Sequence, residues 1–225
     1  MLLSKRDFKR REPERDAKCV YIFCEGNTEF DYFRFFDKLS EKIKVEVYPI
    51  DSKSENNTPV GLYNIACNCL KPSEENPSPR YELSDDVDEV WIVFDRDIDK
   101  ILSREPQIIA VKGNCEKENM PFDRKVWNIA ESNPCFEVWL YYHFEKGKPD
   151  FEGMDISKKW KSFVDTISKS GFDPRKHPQL VGTAITNAET NYHEKDGRPA
   201  IASTQVYRLG KSIYPLIQNR LMSKS

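Results

Sequence analysis

"VYIFCEGNTEFDYF", Val20 to Phe33, changes character at Glu25. The apolar run Val20 to Cys24 reads as a buried strand. Glu25 and Gly26 end it, and Asn27 or Thr28 is expected to cap a helix. Phe30, Phe33 and Phe36 then recur at helical spacing, with Tyr32 and Phe35 widening the face. A carboxylate therefore stands where a buried strand meets its first turn, with a second, Glu29, close behind. In an open α/β sheet, ligands sit beyond the carboxyl ends of the strands. That places Glu25 at the edge where such a fold does its chemistry.

The same grammar repeats outward. Ile43 to Ile50, "IKVEVYPI", alternates apolar and polar residues and reads as a second strand. Pro59 opens a helix with Leu62, Ile65, Ala66, Cys69 and Leu70 on one side. Residues 71–87, rich in proline and acids, read as a loop. "DEVWIVFDRD", Asp88 to Asp97, holds the strongest strand, Val90 to Phe94, and ends in Asp95-Arg96-Asp97. A helix is expected over Gln107 to Glu118 and a strand over Lys125 to Ala130. Another helix is expected in "SNPCFEVWLYYHF", with Asn133 as cap and Pro134 at its first position. Strand–helix alternation predicts an α/β fold with a mainly parallel sheet and helices on both faces. Residues 1–18 read as a basic arm, 19–150 as the α/β domain and 151–225 as a helical C-terminal extension. Its last helix lies in "STQVYRLGKSIYPLIQNRLM", with Ser203 and Thr204 as caps.

Composition excludes several classes. No apolar run approaches the roughly 20 residues that span a bilayer. The first residues lack the apolar stretch of a secretory signal. A cytoplasmic protein with no membrane partner is expected. The six cysteines form no CxxC pair and the three histidines no HxxxH or HExxH, so no zinc pattern is present. The cysteines are expected as reduced thiols, and His143 as a hydrogen-bonded core histidine on the Phe136, Trp139, Leu140 face. The basic arm carries Lys5, Arg6, Lys9, Arg10, Arg11, Arg15 and Lys18 and suits either a phosphate backbone or solvent. A net charge of −2 argues against strong free-standing affinity for nucleic acid.

Asp95 and Asp97 face the same way if the chain stays extended. Glu25 approaches them if its strand neighbours theirs. Three converging carboxylates repel one another unless a cation is present. Oxygen ligands of this kind suit Mg²⁺ or Mn²⁺. Glu25, Asp95 and Asp97 are thus the candidate catalytic and metal-binding residues.

Glu25 in "CEGNTEFDYF" and the DxD of "VWIVFDRD" together resemble the Toprim pattern, a glutamate after the first strand and a DxD after a later one. With "SNPCFEVWLYYHF" and, more weakly, "ASTQVYRLGKSI", the chain resembles the RloB-like family. The resemblance implies a Toprim-like fold, a metal-dependent phosphoryl-transfer site and similarity to the nuclease half of the OLD family. It implies a nuclease acting on DNA or RNA, in a bacterial anti-phage system beside an ATPase partner. It adds Glu29 and Glu137 to the metal-binding set. The segment between Asp97 and Asn133 follows no family pattern, and Arg96 and Lys112 are the candidates for a basic residue at the transition state. The competing reading is a non-catalytic nucleic-acid-binding or regulatory partner of an ATPase. A primase or topoisomerase fragment is disfavoured, because no tyrosine has the setting of a nucleophile. The oligomeric state is left open.

Overall fold

The computed structural model describes residues 18–47, 58–97, 100–167 and 171–222. The basic arm, apart from Lys18, and Asp99 lie outside the described residues, as does the end of the expected second strand. The first half alternates: β1 (Val20–Cys24), α1 (Asn27–Asp37), β2 (Ile43–Val47), α2 (Pro59–Leu70), β3 (Glu89–Asp95), α3 (Ile101–Asn119) and β4 (Trp127–Asn133). Then come α4 (Glu137–Tyr141), α5 (Ser157–Ile167), a 3-10 turn at His177–Leu180 and α6 (Val181–Thr190). The chain closes with β5 (Glu194–Lys195), β6 (Arg198–Pro199), β7 (Ser203–Thr204) and α7 (Val206–Met222).

The main sheet runs β2–β1–β3–β4–β7. Its first four strands are parallel and β7 is antiparallel at the edge. The fold is α/β with a mainly parallel sheet, as the alternation predicts. After β1 the chain steps to β2 on one side, then returns past β1 to β3 on the other. That reversal puts a topological switch point between β1 and β3, where open sheets part to admit a ligand.

Side-chain alternation along the strands sends residues to two cores. Val20, Ile22, Cys24, Trp91 and Val93 pack with α1 and with the helices after β4. Tyr21, Phe23, Val90, Ile92 and Phe94 pack with α2 and α3. Helices therefore cover both faces, and the strands are apolar on both. The cysteines are free thiols, Cys24, Cys115 and Cys135 being buried. The segment expected as a helical extension supplies three helices, and it also supplies β7 to the sheet and the β5–β6 hairpin. Val206, Leu209, Ile213 and Ile217 of α7 lie in the same core as β1.

Several element boundaries differ from expectation: β4 runs Trp127–Asn133 rather than Lys125–Ala130, and Ser203 and Thr204, expected as caps of the last helix, form strand β7 paired with β4. Gly26, not Asn27 or Thr28, caps α1, without a side-chain bond. A Cβ there would lie 2.7 Å from Glu29 Oε2, so the Glu29 carboxylate fills that space. α3 begins at Ile101 and runs through Pro106. The carbonyl that Pro106 cannot bond belongs to Leu102, which is exposed to water. Asn133 ends β4 rather than capping a helix, and the Asn133–Pro134 peptide is cis. Its Nδ2 donates to the Pro199 carbonyl at 2.7 Å. α4 starts at Glu137, with Phe136 as its cap.

Candidate active site at the carboxyl edge of the sheet

Glu25 follows β1 and Asp95 ends β3, so adjacent strands bring both acids to the switch point. The backbone N–H of Asp95 donates to Glu25 Oε2 at 3.3 Å. The Arg104 guanidinium grips Glu25 as a fork, one N–H group to each oxygen at 2.7 Å. Its second terminal nitrogen also donates to the Asp95 carbonyl at 2.6 Å. Burial alone would lower the Arg104 pKa, but the bonds and charge of Glu25 hold it above its ordinary value. α3 supplies this cation from its first turn.

Asp95 faces mainly acids. Burial raises its pKa well above the usual carboxylate range, and Glu29, Glu25, Glu137 and Asp97 raise it further. Glu29 is 5% exposed on α1. Its pKa is pushed up to about 7, first by burial and then by Glu25 and Glu137, against the pull of its own N–H and Lys161. Glu137 is buried at the start of α4, with Lys161 Nζ of α5 at 4.0 Å. The charge of Glu137 in turn raises the Lys161 pKa.

The chain does not stay extended through the DxD. Asp97 has φ 47°, a left-handed conformation that aspartate tolerates, and its N–H donates to the Pro134 carbonyl at 3.0 Å. Its carboxylate accepts from Ser157 Oγ at 2.9 Å and from Lys100 Nζ at 3.2 Å. Burial opposes ionisation here, but these two donors hold the Asp97 pKa below its ordinary value.

The structure thus gathers all five acids, Glu25, Glu29, Asp95, Asp97 and Glu137, into one electrostatic neighbourhood. Arg104, Lys100 and Lys161 only partly compensate them. Among the described residues, no three of the His, Cys, Asp and Glu side chains are drawn together as a ready-made metal cage. Their chemistry nevertheless fits a hard divalent cation: oxygen donors only, and mutually destabilised without one. Glu25 Oε1 accepts from Arg104 and keeps lone-pair capacity beyond that bond.

Of the basic candidates, Arg96 stays beside the site, between the two aspartates. Lys112 does not join the acids. It lies 3.0 Å from the fully buried Glu131, which is in register with Phe94 of the α2–α3 core. Sequence reasoning misses Arg104, Ser157, Lys100 and Lys161. A signal for Arg104 exists: it is a basic residue in the first turn of the helix after the DxD.

A protein-family model described as RloB-like protein matches residues 20–213. Among curated proteins and among solved structures, no match is found. The matched span contains every segment on which the family resemblance rests.

Proposed function

This chain belongs to the RloB-like family, and from that premise and the geometry above we propose that it is a metal-dependent nuclease hydrolysing phosphodiesters of DNA or RNA. One observation carries the reading: five carboxylates, two of them with raised pKa, share one electrostatic neighbourhood where β1 and β3 end. Glu29, Asp95 and Glu137 would hold Mg²⁺ or Mn²⁺, with Glu25 joining through Oε1 and Asp97 at the flank. When bound, such an ion supplies phosphate polarisation and a more acidic water. Arg104 keeps Glu25 and the end of β3 in place. Ser157 and Lys100 keep Asp97 ionised and aimed. Lys161 lends positive charge at the outer rim. The Toprim and OLD likeness supports this assignment, and the family resemblance supports a cytoplasmic role in anti-phage defence beside an ATPase partner. Among the described residues, no helix is long and apolar enough to cross a membrane.

A second reading is favoured by the Arg104 fork, which engages both oxygens of Glu25. If that closed arrangement is permanent, the domain is a non-catalytic nucleic-acid-binding or regulatory partner. Labelled DNA and RNA incubated with purified protein and Mg²⁺, Mn²⁺ or EDTA separate the two. The nuclease reading expects metal-dependent cleavage that falls at least about a hundredfold in Asp95→Asn. Equal cleavage by the variant would overturn the site. Binding without cleavage, with the ATPase partner present, would favour the second reading.

A further inference from the structure

Next to the DxD, which contributes Arg96 to its lining, lies a cavity of about 730 Å³ whose charged lining is mostly basic. Arg96 enters it from the DxD, and Lys195 and Arg198 enter it from the β5–β6 hairpin, against one acid, Asp196. Arg198 is ion-paired with Glu105 of α3. Among the described residues, the Arg96 and Lys195 side chains have no ion-pair partner. The hairpin is built for its place. Asp196 and Gly197 have φ 54° and 72°, the paired left-handed conformations of a tight two-residue turn. Asn133 ties the hairpin region to the end of β4. Its carbonyl accepts from the Ala202 N–H at 2.9 Å and its Nδ2 donates to Pro199. Asn133 is 3% exposed, lines the cavity, and its Oδ1 has no hydrogen-bond partner.

We propose that this cavity is the subsite for the sugar-phosphate backbone flanking the scissile bond of a nucleic-acid strand, with Arg96 and Lys195 holding its phosphates. The inference rests on the nuclease reading for its placement. A phosphodiester held over five acids is repelled by them unless cations take the neighbouring phosphates. Arg96, one residue from both Asp95 and Asp97, is placed to do so. The volume suits a nucleotide unit rather than a lone anion. The buried Asn133 Oδ1 offers an acceptor to a sugar hydroxyl, so DNA and RNA are separate arms of the test.

The test is fluorescence anisotropy of short single-stranded DNA and RNA with the full-length protein, in EDTA so that no cleavage occurs, over a salt series. Arg96→Ala and Lys195→Glu should each weaken binding about tenfold. Each should also make the salt dependence shallower, by about 0.7 in slope for every phosphate no longer neutralised. Lys195 is exposed on the hairpin, so its variant keeps the fold. Lys117→Ala, at the far end of α3, should bind as wild type. Tighter wild-type binding of RNA than of DNA, lost in Asn133→Leu, would assign the Asn133 acceptor to the 2′-hydroxyl. Unchanged affinity and slope in both cavity variants, or no binding by wild type, would overturn the inference. Loss of the nuclease reading would appear differently, as absent metal-dependent cleavage with binding still sensitive to Arg96 and Lys195.

Discussion

Arg104 and His143 show how single side chains hold the site. Arg104 is buried and commits its terminal nitrogens to Glu25 and the Asp95 carbonyl. Arg104→Ala leaves Glu25 without its cation at a partly buried position, and urea unfolding should record a loss of about 3 kcal/mol. A loss under about 1 kcal/mol would mean that the fork is idle. His143 works at a distance. Nδ1 must carry the proton donated to the Trp139 carbonyl at 3.0 Å, so Nε2 accepts from the Tyr32 hydroxyl at 3.0 Å. That bond joins α1, which carries Glu29, to the end of the segment that carries Glu137. Burial lowers the His143 pKa from 6.5 to about 3. Between these values the unfolded chain binds more protons. The contribution to stability is therefore full above about pH 6.5 and is lost as pH falls toward 3. Wild type should lose about 2 kcal/mol through this group between pH 6.5 and 5, and His143→Gln should be spared that loss. Equal pH slopes would contradict it. The five acids were legible in the sequence, because strand ends and family motifs mark them. Their cations were missed: Arg104 stands in the first turn of the helix after the DxD, but that helix was expected to start only at Gln107, and Lys161 reaches the site only through the packing of α5.

The elements place the acids by how they begin and end. Gly26 caps α1, which starts at Asn27, and the Glu29 carboxylate occupies the space a Cβ at Gly26 would need. Gly26 has φ −134° and ψ 172°, extended backbone that any residue adopts. Gly26→Ala should therefore change stability by no more than about 1 kcal/mol. It should displace the Glu29 carboxylate and weaken Mn²⁺ binding about tenfold, which titration calorimetry would read. Unchanged affinity would remove Glu29 from the metal set. Strands β1 and β3 were readable as apolar runs ending in acids. The start of α4 was not, because Asn133 and Pro134 carry the local signature of a helix start. Asn133 instead ends β4, paired in the sheet with Ser203 far along the chain. The short strands β5, β6 and β7 have too few residues to show a period of two.

At the scale of the whole molecule, the proposed nucleic-acid substrate has to be held by a chain of net charge −2, and its charges are sorted. Acids gather at the switch point, and Arg96, Lys195 and Arg198 gather beside it. The mainly parallel sheet was implicit in the alternation of strands and helices, but the order that makes β1 and β3 neighbours was not. The return of the C-terminal segment was not, because helix periodicity says nothing about which core a helix joins. β1 and α7 share one core, and β7 pairs with β4. A chain truncated at residue 150, the boundary expected from sequence, should lack a cooperative unfolding transition by circular dichroism. A sharp transition there would restore a separable domain. Whether the carboxyl-edge acids take a divalent cation is read most directly by Mn²⁺ titration under electron paramagnetic resonance, with full-length wild type, Asp95→Asn and Glu29→Gln. Wild type should bind Mn²⁺ in competition with Mg²⁺, and both variants should lose that binding. Equal Mn²⁺ binding by all three, or none by wild type, would contradict a metal centre at the end of β3.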